Sequence, residues 1–270
     1  MSAPALDLDG YFERIRYGGT TLPNFETLAG LLRAHVAAVP FENLDVLLGR
    51  GIRLELDAVQ AKLVHARRGG YCFEHATLFA CLLERLGFHP VRHTARVVLV
   101  SPRAESPRAH MLLTVPLNEG TFVVDPGFGA LAPDFPVLLG GDFGVRTAPP
   151  NYRMVRDAGF WVLQFRNEDK IVDCWITTLD HDNLVDFEVG NHFTSTHRDS
   201  PFVNRIMMSA RTDGGRVTLM NRDLTIRRGD EPQATQLADR IALRALLVTH
   251  FGFDLPEVER LRVPSIPEWT

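Results

Sequence analysis

At residues 67–75 the chain reads Arg67-Arg68-Gly69-Gly70-Tyr71-Cys72-Phe73-Glu74-His75. Apolar residues then recur at helical spacing until Gly87, which predicts a buried helix that begins at Cys72. The unpaired N–H groups and the positive end of the dipole at such a helix start favour a thiolate over a thiol. The paired glycines allow a sharp turn and leave space beside the sulfur. The stretch therefore predicts a reactive cysteine on the first turn of a helix.

The composition is that of a globular protein. The 270 residues are 45% apolar, enough for one large domain or two to three smaller ones. The formal net charge of -4 gives no global basic field, so we expect neither nucleic-acid binding nor attraction to a membrane surface. No leader pattern opens the chain and no apolar run approaches the length of a membrane span. We therefore expect a cytoplasmic, soluble protein.

The cysteines are three in number, Cys72, Cys81 and Cys174, without C-x-x-C spacing. An odd count without that spacing argues against a disulfide framework and against a zinc site, so we expect no metal. Cys81 lies half a helical revolution away from Cys72 on the predicted helix. We expect Cys81 and Cys174 to pack in the core and Cys72 alone to react.

Helical periodicity dominates the first 86 residues and a period of two follows. One helix is predicted from Pro23-Asn24 to Pro40, and a second near Asp57, which is its expected N-cap. Strands are predicted at 91–100, 111–115, 120–125, 160–166, 170–177, 205–211, 216–220 and 224–228. A last helix is predicted at about 235–251, with Leu237, Ile241, Leu246 and Val248 facing inward.

A predicted hairpin brings His110 and Asp125 together. If the turn at 116–119 is centred on Leu117 and Asn118, antiparallel pairing places His110 directly opposite Asp125, and a turn shifted by one residue makes the pair diagonal. A cysteine nucleophile needs a base, and the base needs a group that fixes its tautomer. Cys72, His110 and Asp125 supply these roles. The chain contains ten histidines, so the alternative is that a His and an Asp have this spacing by chance. His75 is a rival base, although its position suits a pocket wall better.

Two loops carry further polar or glycine-rich sequence. Glu42, in the stretch Pro40-Phe41-Glu42-Asn43-Leu44-Asp45, either belongs to a capped loop or pairs with Arg67 or Arg68 and holds the loop under Cys72. The stretch Asp125-Pro126-Gly127-Phe128-Gly129-Ala130 is either a simple turn or a nest of N–H groups for a phosphate.

Together these residues resemble the arylamine N-acetyltransferase family of the bacterial type. The resemblance runs through Tyr11–Ile15, Pro40–Asp45, Arg68–Glu74, His110, Asp125–Gly129, Asn191, Ser200 and Phe202. It implies an α+β fold with a cysteine-protease-like core, divided into three parts. These are an N-terminal helical bundle at 1–88 carrying Cys72, a central β-barrel-like domain at 89–203 carrying His110 and Asp125, and a C-terminal α/β lid at 204–270.

The resemblance also implies a function. Such an enzyme transfers an acetyl group from acetyl-CoA to an arylamine or hydrazine, including xenobiotic amines, by a ping-pong mechanism through an acetyl-Cys72 thioester. His110 is then the base and acid, and Asp125 orients it. The implied substrate-binding residues are Phe41, Phe73, Phe128 and Phe202, and the implied coenzyme loop contains Gly127, Phe128 and Gly129. The partners are these small molecules, with a homodimer as an alternative to a monomer.

Three other functions stay open at this stage. An amide synthase of the same superfamily uses the same triad to release a polyketide as a macrolactam. A papain-like or transglutaminase-like enzyme acts on peptides, and a binding protein retains an inert triad. Ala76, Pro126 and Arg198 depart from the pattern that the family resemblance leads us to expect. Arg198 and His197 add charge near the expected acceptor site, which leaves the acceptor preference open.

Overall fold

The computed structural model describes residues 5–143, 151–229 and 231–269. It shows helices and antiparallel sheets in an α+β fold, as expected. The helices are α1 Leu8–Ile15, α2 Phe25–Ala38, α3 Leu44–Leu47, α4 Leu56–Gln60, α5 Cys72–Arg85, α6 Leu184–Thr196, α7 Pro201–Asn204 and α8 Arg240–Leu246. The strands are β1 Val91–Val97, β2 His110–Leu117, β3 Gly120–Val124, β4 Val137–Leu138, β5 Tyr152–Asp157, β6 Phe160–Asn167, β7 Lys170–Thr177, β8 Met207–Thr212, β9 Gly215–Met220, β10 Asp223–Arg228 and β11 Glu231–Gln236.

Helix α5 forms the centre of the N-terminal part because its apolar residues are buried on several sides. Phe79 and Leu83 are fully buried and share one apolar cluster with Leu31 of α2, Leu113 of β2 and Phe122 of β3. The helices and the first hairpin therefore have a common core. That core fixes the start of α5 against β2.

Seven strands form the central sheet, in the order β4-β3-β2-β1-β7-β6-β5. Its two edges approach each other through a bridge between Leu139, after β4, and Met154 of β5, so the sheet nearly closes into a barrel. Leu112, Met154, Leu163 and Trp175 fill its interior and are fully buried. Strand β1 separates β2 from β7, and residues of both strands belong to this one interior cluster.

The C-terminal part contains a second sheet of four strands in the order β11-β10-β9-β8. Val217 and Leu219 of β9 belong to one buried cluster with Leu243 and Leu246 of α8. The backbone of Phe41 exchanges two hydrogen bonds with Ser209 of β8. This exchange connects the second sheet to the loop at Pro40–Asp45.

Several sequence predictions are wrong in detail. Helix α4 begins at Leu56 with Glu55 before it, so Asp57 lies inside the helix rather than at its N-cap. The first hairpin turns at Asn118 and Glu119, because β2 continues through Pro116 and pairs Leu117 with Gly120. The predicted strand at 91–100 ends at Val97.

The predicted last helix is also too long. Residues 231–236 extend the second sheet as β11, and the helix starts only after Asp239, whose Oδ1 accepts a hydrogen bond from the Ala242 N–H at 2.7 Å. Ile241 and Val248 are exposed, at 68% and 55%, and not inward as predicted. Pairing with β10 therefore overrides the helical pattern in this segment.

The described residues contain no helix that is long and apolar enough to cross a membrane. Cys174 is buried as predicted, whereas Cys81 is only partly buried. The predicted long connection at 126–150 contains a 3-10 turn at Gly129–Leu131 and strand β4, and its residues 144–150 lie outside the described residues. The domain boundaries at 88 and 203 stay a prediction.

Candidate active site

Cys72 is the first residue of α5, as predicted, and only 3% of it is exposed. The backbone N–H of Tyr71, just before it, donates to Glu74 Oε2 at 3.0 Å, which holds the first turn closed. The Cys72 Sγ lies 4.0 Å from the carbonyl oxygen of Ala109. Since Ala109 directly precedes His110, the packing of α5 on β2 brings the histidine to the sulfur.

His110 and Asp125 form a buried pair. The His110 Nε2 lies 2.7 Å from Asp125 Oδ2, and both residues are almost completely inaccessible to solvent. The hairpin register pairs Leu113 with Val124, so His110 and Asp125 face each other diagonally rather than directly. The diagonal arrangement arises because the hairpin turn lies one residue later in the chain than predicted. With Nε2 committed to the carboxylate, Nδ1 is the ring nitrogen left for the thiol.

The charge of Asp125 controls the proton affinity of His110. Burial alone lowers the pKa of His110, but the Asp125 carboxylate and the Cys72 sulfur outweigh it and raise the pKa to about 10. At neutral pH the ring therefore favours the protonated form. The Cys72 sulfur therefore lies beside a cation.

Trp175 is a residue of the candidate site that sequence reasoning missed. Its Nε1–H donates to Asp125 Oδ2 at 2.9 Å, so one carboxylate oxygen receives both Trp175 and His110. The other oxygen, Oδ1, is buried and has no hydrogen-bond partner among the described residues. Trp175 thereby fixes the carboxylate that orients His110. The sequence placed Trp175 only within the predicted strand at 170–177. No local signal connects it to Asp125, which lies fifty positions away.

The predicted pair of Glu42 with an arginine is confirmed, with Arg68 as the partner. The Arg68 guanidinium bonds Glu42 Oε1 and Asp45 Oδ1, each at 2.7 Å. Glu42 Oε2 also accepts from the Leu44 N–H at 2.7 Å, so the same residue caps its own loop. These bonds fasten the loop at Pro40–Asp45 to the segment that leads into Cys72. Burial lowers the pKa of Arg68, and the two carboxylates outweigh burial and raise it.

Aromatic rings surround the mouth of the site. The Phe128 ring centroid lies 5.2 Å from that of His110, and the Phe202 centroid lies 6.1 Å from that of Phe41. Phe41, Phe128 and Phe202 are each partly exposed, as a substrate pocket requires. Phe73 is different, because its ring is fully buried against Gly190 and beside Tyr71. A direct contact of Phe73 with substrate has no support from this position.

The loop from Gly127 to Gly129 lies against the active site. A Cβ atom on Gly127 would stand 2.6 Å from the Cα of Cys72, so glycine is needed there for close packing. Gly129 has a φ of 60° and lies against the Phe41 ring. The role of these glycines and of Phe128 in coenzyme binding stays a prediction.

Asn43 and Asn191 position two of these aromatic residues. The Asn43 side chain donates to the carbonyl oxygens of Phe202 and Arg205, each at 2.8 Å. The Asn191 Oδ1 accepts the hydroxyl proton of Tyr71, and its amide donates to the Ile52 carbonyl at 3.0 Å. The sequence placed Asn43 in the polar loop at Pro40–Asp45, and it marked Asn191 only through the family resemblance.

A family model and individual relatives both match most of this chain. A family model described as an N-acetyltransferase matches residues 24–260. The arylamine N-acetyltransferase of Escherichia coli K12 is 35% identical over 254 residues, 93% of this chain and 90% of that protein. The chain belongs to the arylamine N-acetyltransferase family. A second relative, the arylamine N-acetyltransferase of Mycobacterium tuberculosis H37Rv, is 37% identical over 259 residues, with 94% of this chain and 92% of that protein covered.

Solved arylamine N-acetyltransferase structures share the fold. The M. tuberculosis structure matches with a TM-score of 0.86 at 35% identity, covering 93% of this chain and 96% of that one. The Mycobacterium marinum enzyme in complex with CoA also matches with a TM-score of 0.86 at 35% identity, covering 93% and 94%. The chain is thus an acyltransferase of this family, and its family and fold are those predicted. Within the residues that the structure describes, no group of His, Cys, Asp or Glu side chains could hold a metal ion.

Proposed function

We propose that the enzyme transfers an acetyl group from acetyl-CoA to an arylamine or hydrazine through an acetyl-Cys72 thioester. The observation that carries the proposal is the buried His110–Asp125 pair beside a cysteine at the start of α5. The CoA complex of the M. marinum relative supports the donor, and the names of the relatives support the acceptor. We also propose cytoplasmic activity on small aromatic amines, including xenobiotic ones.

In the first step the Cys72 thiolate attacks the carbonyl carbon of the acetyl thioester. A bond forms between the sulfur and that carbon, and the bond from the carbon to the coenzyme sulfur breaks. His110 gives its proton to the departing coenzyme thiolate. Backbone N–H groups at the start of α5 are the candidates for stabilising the oxyanion of the tetrahedral intermediate. One thioester replaces another, so this step needs positioning more than a driving force.

In the second step the amine nitrogen attacks the acetyl carbon on Cys72. His110, now neutral, takes the proton from the nitrogen, and the bond from the carbon to the Cys72 sulfur breaks. The products are the acetylated amine and the original thiolate–imidazolium pair. Arylamines are neutral at pH 7 and favour apolar surroundings. Phe41, Phe128 and Phe202 would collect them and keep water away from the acyl-enzyme.

Three arginines fit the phosphates of the donor. Arg211, Arg216 and Arg227 stand directly opposite each other on β8, β9 and β10, and thus on one face of the sheet. Arg216 donates to the carbonyl of Ala130, at the end of the glycine loop. Partial burial and the neighbouring Arg211 and Arg227 cations lower the pKa of Arg216 to about 10. Asp134 offsets part of this repulsion, because its Oδ2 lies 3.6 Å from the Arg211 guanidinium. A bound phosphate would offset more of it.

Arg227→Gln is therefore expected to raise the KM for acetyl-CoA about twofold to fivefold, the effect of losing an exposed ion pair worth up to about 1 kcal/mol. The KM for p-nitrophenyl acetate, a donor without phosphates, should stay unchanged. Arg228→Gln is the matched control, because neighbouring residues of a strand point to opposite faces. An equal rise with both donors, or an equal rise in both variants, would contradict this assignment.

The proposed mechanism is tested by intact-protein mass after brief exposure to acetyl-CoA without an acceptor. We expect one acetyl adduct on the wild-type protein and none on Cys72→Ala. Addition of an arylamine or hydrazine should then remove the adduct and yield the acetylated amine. Absence of any adduct would overturn acetyl-CoA as donor and favour the amide synthase or a peptide-directed relative.

A further inference from the structure

Beneath the active site, three buried rings form a hydrogen-bonded chain that the mechanism does not use. The Tyr11 hydroxyl of α1 bonds His35 Nδ1 of α2 at 2.5 Å, and His35 Nε2 lies 2.8 Å from His75 Nδ1 of α5. His75 Nε2 then lies 3.2 Å from the carbonyl oxygens of Pro40 and of Gly70. All three side chains are at most 1% exposed.

The two carbonyls at the end of this chain decide where every proton lies. Carbonyl oxygens only accept, so His75 Nε2 carries a proton and donates it to Pro40 and Gly70. In the neutral ring, His75 Nδ1 then accepts a proton from His35 Nε2. His35 Nδ1 in turn accepts the hydroxyl proton of Tyr11. No other arrangement with neutral rings satisfies all of these groups.

Both imidazoles are held in the neutral form. Burial lowers the pKa of His35 well below its usual range, and the neighbouring His75 lowers it further. Burial lowers the pKa of His75 to about 4, although its bonds to Pro40 and Gly70 oppose the shift. Lys62 and Arg14 are the cations that face His75, and both also disfavour its protonation. His75 therefore does not compete with His110 for the proton of Cys72.

The carbonyls that His75 bridges belong to the two segments that meet below Cys72. The Gly70 N–H donates to the Pro40 carbonyl at 3.2 Å, and the Glu42 N–H donates to the Gly70 carbonyl at 2.8 Å. Gly70 comes two residues before Cys72, and Pro40 comes directly before Phe41 of the proposed acceptor pocket. A donor shared between these carbonyls fixes the start of α5 relative to the pocket.

We propose that His75 is a positioning residue for Cys72, held in its donating tautomer by His35 and Tyr11. The role of His75 in acetyl transfer rests on the proposed function. Its effect on the position of the Cys72 sulfur does not depend on that function. The bridge at Pro40 and Gly70 sets the place of the Cys72 sulfur relative to His110 and the acceptor. Loss of the bridge should lower the rate of chemistry more than the affinity for substrates, because a displacement of about 1 Å can cost about 100-fold in rate.

The test compares His75→Gln with His75→Leu. A glutamine amide can still donate to the two carbonyls and accept from His35, whereas leucine fills the space without a polar group. Two quantities are measured on folded protein, the rate constant for alkylation of Cys72 by iodoacetamide and the kcat and KM of acetyl transfer. We expect His75→Leu to lower the alkylation rate and kcat about tenfold or more, with KM within about threefold. His75→Gln should retain both rates within about threefold of wild type.

Tyr11→Phe provides a second, milder variant if His75→Leu fails to fold. It removes only the hydroxyl that donates to His35 Nδ1. We expect a loss of about twofold to twelvefold in both rates, in line with one hydrogen bond worth about 0.5–1.5 kcal/mol. Tyr17→Phe is the matched control, because the Tyr17 hydroxyl donates to the nearby Thr20 carbonyl and does not contact His35 or His75 among the described residues.

Equal rates in His75→Gln and His75→Leu would overturn the proposal, as would an unchanged alkylation rate in folded His75→Leu and Tyr11→Phe. Alkylation by iodoacetamide needs no acetyl donor. A loss of alkylation rate in a protein that forms no acetyl adduct would therefore support the positioning role and contradict only the proposed reaction.

Discussion

Asp125→Asn is expected to lower kcat for acetyl transfer by about 10³- to 10⁴-fold while the protein stays folded, a loss of the size seen when the carboxylate of such a triad is neutralised. The buried carboxylate is what raises the pKa of His110 to about 10. Without its charge the imidazolium loses its main stabilisation, and the Cys72 sulfur loses the cation beside it. Steady-state kinetics of the purified variant measure the effect.

The geometry around Asp125 shows why the defect should lie in charge rather than in folding. Trp175 and His110 both donate to Oδ2, so the amide oxygen of an asparagine can accept both bonds in that place. The amide nitrogen would then occupy the place of Oδ1, which has no partner among the described residues. An unpaired buried group costs about 1–3 kcal/mol, which lowers stability without unfolding an ordinary domain. A variant with kcat within about tenfold of wild type would contradict the role of Asp125.

The same variant should change how stability depends on pH. The pKa of His110 lies at about 10 in the folded protein, above its usual value of 6.5. Its contribution to stability is therefore fully present below about pH 6.5 and is lost as the pH rises through about 10. Urea unfolding between pH 6.5 and 10 should show a steeper loss in the wild type than in Asp125→Asn. Asp169→Asn, in an exposed turn, is the matched control and should follow the wild type.

The sequence allowed the grouping of Cys72, His110 and Asp125 to be predicted because its signals are local. Cys72 follows a glycine pair and opens an apolar helical pattern, and a short hairpin joins His110 to Asp125. The error of one residue in the hairpin turn had little effect, since a diagonal pair still permits the hydrogen bond of 2.7 Å. The family resemblance supplied what local pattern could not, namely the expected reaction and the expected substrates.

The supporting groups could not be predicted because they depend on long-range packing. Trp175 reaches Asp125 only after the barrel brings β7 next to β1 and its neighbour β2. His35 lies in a helix whose pattern indicated only amphipathic packing, and it meets Tyr11 and His75 across three helices. The prediction for the segment before α8 was wrong for the same reason. Its local pattern is helical, but in the structure the segment pairs with β10 as a strand.

Gly127→Ala is expected to lower both the acetylation rate and the alkylation rate of Cys72 by about 100-fold, because it forces the loop and the helix start apart. The new Cβ would lie 2.6 Å from the Cα of Cys72 and 3.0 Å from its carbonyl oxygen. Both are backbone atoms, so no side-chain rotation can relieve the contact. The rates and the melting temperature are measured on the purified variant.

The expected loss of rate in Gly127→Ala comes from a steric contact and not from backbone strain. Gly127 has no positive φ, so alanine fits its backbone conformation and only the contact with Cys72 is at fault. Overpacking of this kind costs about 1–3 kcal/mol in stability. Relief requires movement of the chain directly after Asp125, which carries the Asp125–His110 pair away from the sulfur. Gly18→Ala is the matched control, since nothing lies within 4 Å of its Cβ and its φ is also not positive. Equal acetylation and alkylation rates in Gly127→Ala and Gly18→Ala would contradict the prediction. They would show that Cys72 reacts normally even when the glycine loop lies farther from α5.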